Sequence, residues 1–288
     1  MTPARDRYPA GVPCWVDTLQ PDPGAAVDFY GGLFGWELAD RMPPDAPGHY
    51  FVAHVDGLDV AAVASQPDGE AADATWVTYV AVESTDATAA EVTAAGGTVL
   101  VEPFDVPAAG RTAVVADPAG ASFCLWQAGR HVGARLVNAA NTWNWSDLNT
   151  DDPEGAAAFY GRLFGWRAHT VDMGDAGSFT MLQLPGYGDF LAEMEPGVRE
   201  RQAEEGAPEG FADTVAGLGP SEGAPAHWSV TFTVDDPDAV ATRAAELGGT
   251  VTVPPFDAGP VRMAMLVDPQ GAPFAINRYD PTAGPAGG

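Results

Sequence analysis

Two carboxylates in this chain are placed where they can do chemistry. Asp17 follows Trp15 at a spacing of two, and Asp147 follows Trp145 in the same way. Residues two apart on an extended strand share a face, so each pair sets an indole beside a carboxylate. In a dry cleft burial raises a carboxyl pKa, and the group can then anchor a ligand or act as a general base. Asp17 and Asp147 are therefore the candidate catalytic residues. Alternation adds Tyr79, Cys124 and Trp126 to the face of Trp15, and Ser229, Thr231 and Asn277 to the face of Trp145, with His227 two residues before Ser229. All of these, with both tryptophans, are candidate ligand-binding residues, because an apolar wall carrying a few polar groups is how small-molecule pockets are built. The same residues also suit plain structure: tryptophans filling a curved sheet, carboxylates tying down a loop or an indole N–H, and His227 as a hydrogen-bonded neighbour of Trp228.

The elements that must position these residues come in repeats. Trp15-Val16-Asp17 and Phe29-Tyr30-Gly31-Gly32-Leu33-Phe34-Gly35-Trp36 return 130 residues later as Trp145-Ser146-Asp147 and Phe159-Tyr160-Gly161-Arg162-Leu163-Phe164-Gly165-Trp166, the signature of a tandem repeat. Later blocks match as well, Gly96-Gly97-Thr98-Val99 with Gly248-Gly249-Thr250-Val251 and Asp117-Pro118-Ala119-Gly120 with Asp268-Pro269-Gln270-Gly271. Asp22-Pro23 and Asp152-Pro153 suit helix starts, and Gly35 and Gly165 suit the left-handed residue that closes a helix. Within each half a strand, a helix and three strands occur twice, with strands expected at 50–55 and 60–64 around Asp56-Gly57, and at 179–184 and 190–194 in the second half. The fold class is α+β: four βαβββ units forming two modules, each a curved mixed sheet with outer helices and an inner cleft. Module 1 spans residues 12–127, a linker 128–141 and module 2 residues 142–279. The extra length of the second half is expected as a surface loop at about 195–226, and the Gly/Pro/Ala tail 280–288 as disordered.

Composition narrows the partners. The chain has 288 residues, 46% of them hydrophobic, enough for two cores. There are 40 acidic residues against 13 basic ones, giving a net charge of −27 that repels phosphate backbones and anionic lipids. Nucleic acid and membrane are thus excluded as expected partners, and a small-molecule metabolite is left. No apolar run of spanning length or of signal-peptide type is present, so a cytoplasmic monomer or homodimer is expected. The two cysteines, Cys14 and Cys124, do not make a disulfide scaffold or a Cys-rich zinc site.

The run Trp-x-Asp, Phe-Tyr-x-x-Leu-Phe-Gly-Trp, Gly-Gly-x-Val and Asp-Pro-x-Gly-x-x-Phe resembles the vicinal oxygen chelate superfamily, which includes glyoxalase I, bleomycin-resistance proteins and extradiol dioxygenases. The bridge Leu125-Trp126-Gln127-Ala128-Gly129-Arg130-His131-Val132-Gly133-Ala134 is similar to that of two-module actinobacterial glyoxalase-like or hydroxylase-like proteins. The resemblance implies a divalent metal held by His, Gln or Glu on the first strand of a unit and Glu on the last. Here those positions carry Trp15, Trp145, Val77 and Ser229, and Cys124 and Ala275. Apart from the lone cysteine none is a usual ligand, so no metal and no other cofactor is expected. Two readings remain open for a metal-independent protein: a binder that sequesters an apolar or aromatic metabolite, and a tailoring enzyme in which Asp17 or Asp147 moves a proton. The alternative is a metal-dependent glyoxalase-like lyase or dioxygenase with unorthodox ligands, Asp147, His227 and Glu193.

Overall fold

The computed structural model describes residues 4–66, 73–172, 178–204 and 206–280. Module 1 runs β1 (Pro13–Gln20), α1 (Pro23–Phe34), β2 (Glu37–Asp40), β3 (Tyr50–Val55), β4 (Leu58–Ser65), β5 (Thr75–Ala81), α2 (Thr85–Ala94), β6 (Thr98–Val106), β7 (Gly110–Ala116) and β8 (Ser122–Ala128). Its strands form one sheet in the order β2-β3-β4-β1-β5-β8-β7-β6. Module 2 runs β9 (Thr142–Asn149), α3 (Pro153–Phe164), β10 (Arg167–Asp172), β11 (Ser178–Gln183), α4 (Tyr187–Met194), α5 (Val198–Glu204), β12 (Thr214–Gly219), β13 (His227–Thr233), α6 (Pro237–Glu246), β14 (Thr250–Ala258), β15 (Val261–Val267) and β16 (Pro273–Tyr279). Its sheet repeats the topology, β10-β11-β12-β9-β13-β16-β15-β14. Both sheets are mixed: the two first strands of a module pair antiparallel, and each pairs in parallel with the last strand of its own unit. Each cleft is therefore floored by the sheet of one module.

The repeated helices form as their end residues dictate. The Asp22 carboxylate accepts the Ala25 N–H at 3.1 Å, and Asp152 accepts that of Gly155 at 2.9 Å, with proline at the first helical turn and Gly35 and Gly165 at φ 68° and 74° beyond the end. Both helices cover the back of their own sheet and are caught between the modules. Phe34 of α1 lies 5.1 Å, ring to ring, from Phe232 of β13, while Phe123 of β8 lies 5.6 Å from Tyr160 of α3. Each of the two cores thus mixes residues of both modules.

A reciprocal pair of buried hydrogen bonds ties the modules together. Tyr30 donates to Asp268 at 2.9 Å, and Tyr160 donates to Asp117 at 3.2 Å. In both aspartates the other oxygen accepts two backbone N–H groups of its own Asp-Pro-x-Gly turn. Each tyrosine hydroxyl in turn accepts an indole N–H, from Trp76 or from Trp228.

The second half departs from the sequence expectation in one place. Residues 190–194 are not a strand: they belong to the helix α4, and β12 supplies the strand in their stead. Tyr187, Phe190, Leu191 and Met194 recur at helical spacing, which explains the helix. The extra length accordingly lies between β11 and β12, built on α4 and α5, rather than as a loop at about 195–226. Residues 281–288 of the tail expected to be disordered lie outside the described residues. No helix among the described residues is long and apolar enough to cross a membrane.

Tyr30→Phe is expected to lower the unfolding free energy by about 1–2 kcal/mol, since it leaves the buried Trp76 N–H without its acceptor and takes one of the two donors from Asp268 Oδ2, which keeps only the Gln20 amide. A double-mutant cycle with Asp268→Asn in urea melts should return a coupling of roughly 1 kcal/mol; additive effects would remove this bond from the account of module docking.

Candidate functional site

The first cleft is closed by a ring of side chains. On β1, Trp15 and Asp17 share the inner face; β5 sets Tyr79 opposite Trp15, and β8 sets Cys124 beside Tyr79. Asp17 Oδ2 accepts Tyr79 Oη–H at 2.8 Å and Tyr50 Oη–H, from β3, at 3.1 Å. Trp15 Nε1 donates to Tyr50 Oη at 2.9 Å. The ring of His131 meets Trp15 edge-on at 4.5 Å and Trp126 at 5.7 Å, and Trp126 lies 6.3 Å from Tyr79. The sequence Asp17, Tyr50, Trp15, His131, Trp126, Tyr79 and back to Asp17 is thus continuous.

His131 reaches this place on the strap that joins the modules. Gly129 and His131 donate their backbone N–H groups to Ala109, Ala134 donates to Cys14, and Arg135 donates to Asp59. Gly133, at φ 113°, passes so close to the Cys14 carbonyl that no side chain fits there. Trp126 Nε1 donates to the His131 carbonyl at 3.0 Å. Val77, Tyr79 and Val114 on the cleft floor are half-buried, whereas Trp15, Asp17, Cys124 and Trp126 are buried.

Electrostatics single out Asp17. It is 1% exposed, and burial pushes its carboxyl up to about 6, against the opposing effect of the hydrogen bonds from Tyr79 and Tyr50. Its Oδ1 is buried without a hydrogen-bond partner, and so is His131 Nε2. Burial likewise raises both phenols, with the Asp17 charge adding to it, and raises the Cys124 thiol. Cys124 is therefore a poor source of thiolate.

The second cleft repeats the carboxylate in other company. Burial pushes Asp147 up to about 6 as well, opposed by the Trp145 Nε1–H that it accepts at 2.8 Å. By register Phe179 stands where Tyr50 does and Thr231 where Tyr79 does, so no phenol reaches Asp147. Gly217 lies opposite it, and a side chain there would collide with the carboxylate. Ser229 accepts from Asn149 at 3.0 Å, and Asn277 accepts from Asn144 at 3.1 Å. Phe211, at the end of the insertion, lies parallel to Trp145 at 6.1 Å. Trp145, Asp147, Ser229, Thr231 and Asn277 share this face. His227 does not join them: it is exposed at the rim, and its Nδ1 bonds to the Pro225 carbonyl.

Tyr50, Asp59, His131, Phe179 and Phe211 are members of the two clefts that sequence reasoning passes over. His131 stands in the bridge motif, where it reads as an ordinary structural or surface residue. Nothing local signals that the bridge folds over a cleft.

The donors do not suit a metal. The first-strand and last-strand positions hold indoles, small side chains and a raised thiol, and the cleft positions of β4 and β12 hold Ala62 and Gly217. Glu193 sits on α4, exposed and paired with Arg7 at 3.3 Å, so it does not approach Asp147 or His227. Among the described residues no three His, Cys, Asp or Glu side chains gather as a metal site.

Residues 15–125 match the Glyoxalase/Bleomycin resistance protein/Dioxygenase superfamily, and residues 145–277 match the glyoxalase-like domain. A Mycobacterium tuberculosis protein named "Putative glyoxylase CFP32" is 38% identical over 97% of this chain and 99% of its own length. The chain belongs to this glyoxalase superfamily. Within the superfamily it is also 36% identical to the anthracycline biosynthesis protein DauV of Streptomyces sp. strain C5, over 94% of each chain. Two solved members share the fold: the Mn(II)-bound glyoxalase from Novosphingobium aromaticivorans (TM-score 0.59, 18% identity, 93% of this chain and 82% of that one) and an extradiol ring-cleaving dioxygenase from B. fuscum (0.59, 14%, 99% and 75%).

The raised Asp17 pKa has a stability consequence. The folded protein binds this proton more tightly than the unfolded chain, so the contribution is fully present below the ordinary value near 3.8 and is lost as pH rises through about 6. Measured against Asp17→Asn, wild-type unfolding free energy should fall by on the order of 2 kcal/mol between pH 4 and pH 7. Parallel pH profiles for the two proteins would show that Asp17 ionises normally.

Proposed function

We propose that this member of the superfamily binds a small, planar, largely apolar metabolite carrying hydroxyl or carbonyl groups in the first cleft, with no metal held by its side chains. The observation that carries the reading is the aromatic ring around Asp17 with two buried polar atoms, Asp17 Oδ1 and His131 Nε2, left without partners. Each buried unpartnered atom costs about 1–3 kcal/mol, which a ligand with matching groups offsets. Trp15, Trp126, Tyr50 and Tyr79 supply the apolar walls; Cys124 lies beside Tyr79 as small filler. In the second cleft Trp145, Ser229, Thr231 and Asn277 form a more open surface for the same class of compound.

Relatives named for anthracycline biosynthesis, at 36% identity, support a polycyclic aromatic ligand and a place in the binding or tailoring of a secondary metabolite. A metal-dependent lyase or dioxygenase would need donors at positions held by Trp15, Val77, Ala62 and Cys124, and by Trp145, Ser229, Gly217 and Ala275. As a tailoring site, the cleft has Asp17 within reach of a bound ring to take or give a proton, with Tyr50 and Tyr79 fixing its orientation.

Titration with 2-hydroxyanthraquinone, followed by tryptophan fluorescence, should give saturable quenching. Trp15→Ala is expected to weaken binding by roughly tenfold or more, a loss of about 1.4 kcal/mol. Asp17→Asn, which keeps one acceptor oxygen in place of the carboxylate, should weaken binding by less than Trp15→Ala does. Chromatography of the bound compound then separates the roles, since conversion that Asp17→Asn abolishes marks a tailoring enzyme. Unsaturable quenching, or quenching indifferent to Trp15, would contradict the reading.

A further inference from the structure

The two nitrogens of His131 have different surroundings. Nδ1 lies 3.6 Å from Asp59 Oδ2, and Asp59 Oδ1 lies 3.2 Å from His54 Nε2. His131 is the largest influence holding the Asp59 carboxyl below the ordinary carboxylate range, with the charges of His54 and Arg41 adding to it against burial. A carboxylate facing Nδ1 favours the tautomer with its proton there, and leaves a lone pair on Nε2. Nε2 is buried, in a ring packed against two indoles, and has no partner. The wall has no donor to spare for it: the Trp15 N–H is taken by Tyr50 and the Trp126 N–H by the carbonyl of His131 itself.

A buried lone pair without a donor is costly, yet the strap is pinned to Ala109, Cys14 and Asp59 so as to hold it in place. Trp15 and Trp126 are buried behind the imidazole, whose side chain keeps 20% of its surface exposed, so a planar compound seated against the open part of the imidazole brings its ring substituents to Nε2. The group that satisfies a lone pair is an O–H or N–H, and on an aromatic metabolite that is a phenolic or enolic hydroxyl.

We propose that His131 is the hydrogen-bond acceptor for a hydroxyl of the metabolite in the first cleft, with Asp59 as the residue that positions its tautomer. This rests on the binding reading above and adds to it a required substituent and the residue that selects it. No described residue brings an imidazole onto the inner face of the second cleft, so the selectivity belongs to the first.

The test pairs two ligands with two variants. Wild type should bind 2-hydroxyanthraquinone roughly tenfold more tightly than 2-methoxyanthraquinone, the size of one hydrogen bond to a buried acceptor. His131→Phe keeps a ring against both indoles and removes the acceptor; there the preference should vanish, the two compounds being bound with about the same affinity. His131→Gln, which returns an acceptor oxygen at similar reach, should restore part of it. On the ligand-free protein, nitrogen NMR should find the His131 proton on Nδ1 and Nε2 bare, and Asp59→Asn should disturb that distribution.

A preference that survives in His131→Phe, or none in wild type, would overturn the role of His131 while leaving the binding reading standing. A proton on Nε2 would overturn it whatever the affinities. Failure of wild type to bind either compound would sink the binding reading and this inference with it.

Discussion

The reciprocal tyrosine–aspartate pair fixes how the modules meet. Tyr30 of module 1 is held by Asp268 of module 2, and Tyr160 of module 2 by Asp117 of module 1. Each aspartate spends one oxygen on its own turn and the other on its neighbour, so the turn between the last two strands of one module becomes the dock for the first helix of the other. Two consequences follow for the clefts. The sheets meet back to back around the helices, where Thr78 and Ser146 hydrogen-bond across the modules at 3.1 Å, and both inner faces are turned outward. The chain must then pass from β8 to β9 around the first module, and on this path the strap lays His131 into the first cleft.

Duplication supplied two copies of one carboxylate, and their neighbours have made them different groups. Asp17 is enclosed by two phenols, two indoles and an imidazole. Asp147 keeps only its indole, and Phe179 and Thr231 replace the phenols. Burial raises both carboxyl pKa values to about 6, but only Asp17 has an oxygen buried with no partner. The second cleft has amides, hydroxyls and the Trp145–Phe211 pair instead. The first encloses its carboxylate in aromatic rings.

Much of the fold is legible in the sequence because its signals are local. The Asp-Pro helix starts, the closing glycines and the alternation that puts Trp15 with Asp17 and Trp145 with Asp147 need only neighbouring residues. The helix α4 escapes such a reading because Phe190 to Met194 looks like a short apolar strand unless Tyr187 is counted with it. The Tyr30–Asp268 and Tyr160–Asp117 bonds are out of reach for another reason: they join residues far apart in sequence, and each tyrosine alone reads as core and each aspartate alone as a turn. His131 is hidden on the same ground, since its role arises from where the strap is laid and from Asp59 of a different hairpin. Candidate site residues of the sheet are legible by alternation, whereas His227 joins them only by proximity in sequence and sits at the rim.

The central claim is that a cleft of the glyoxalase superfamily, stripped of the donors that would hold a metal, binds its ligand through aromatic walls and a buried carboxylate. The most direct test is calorimetric titration of chelator-treated protein, its metal content checked by mass spectrometry, with 2-hydroxyanthraquinone in the presence and absence of Mn(II), Fe(II), Ni(II) and Zn(II). Far less than one equivalent of metal per chain, with one affinity across all conditions, is the predicted result. Near-stoichiometric metal in the purified protein, or binding that appears only when one of these ions is restored, would contradict it.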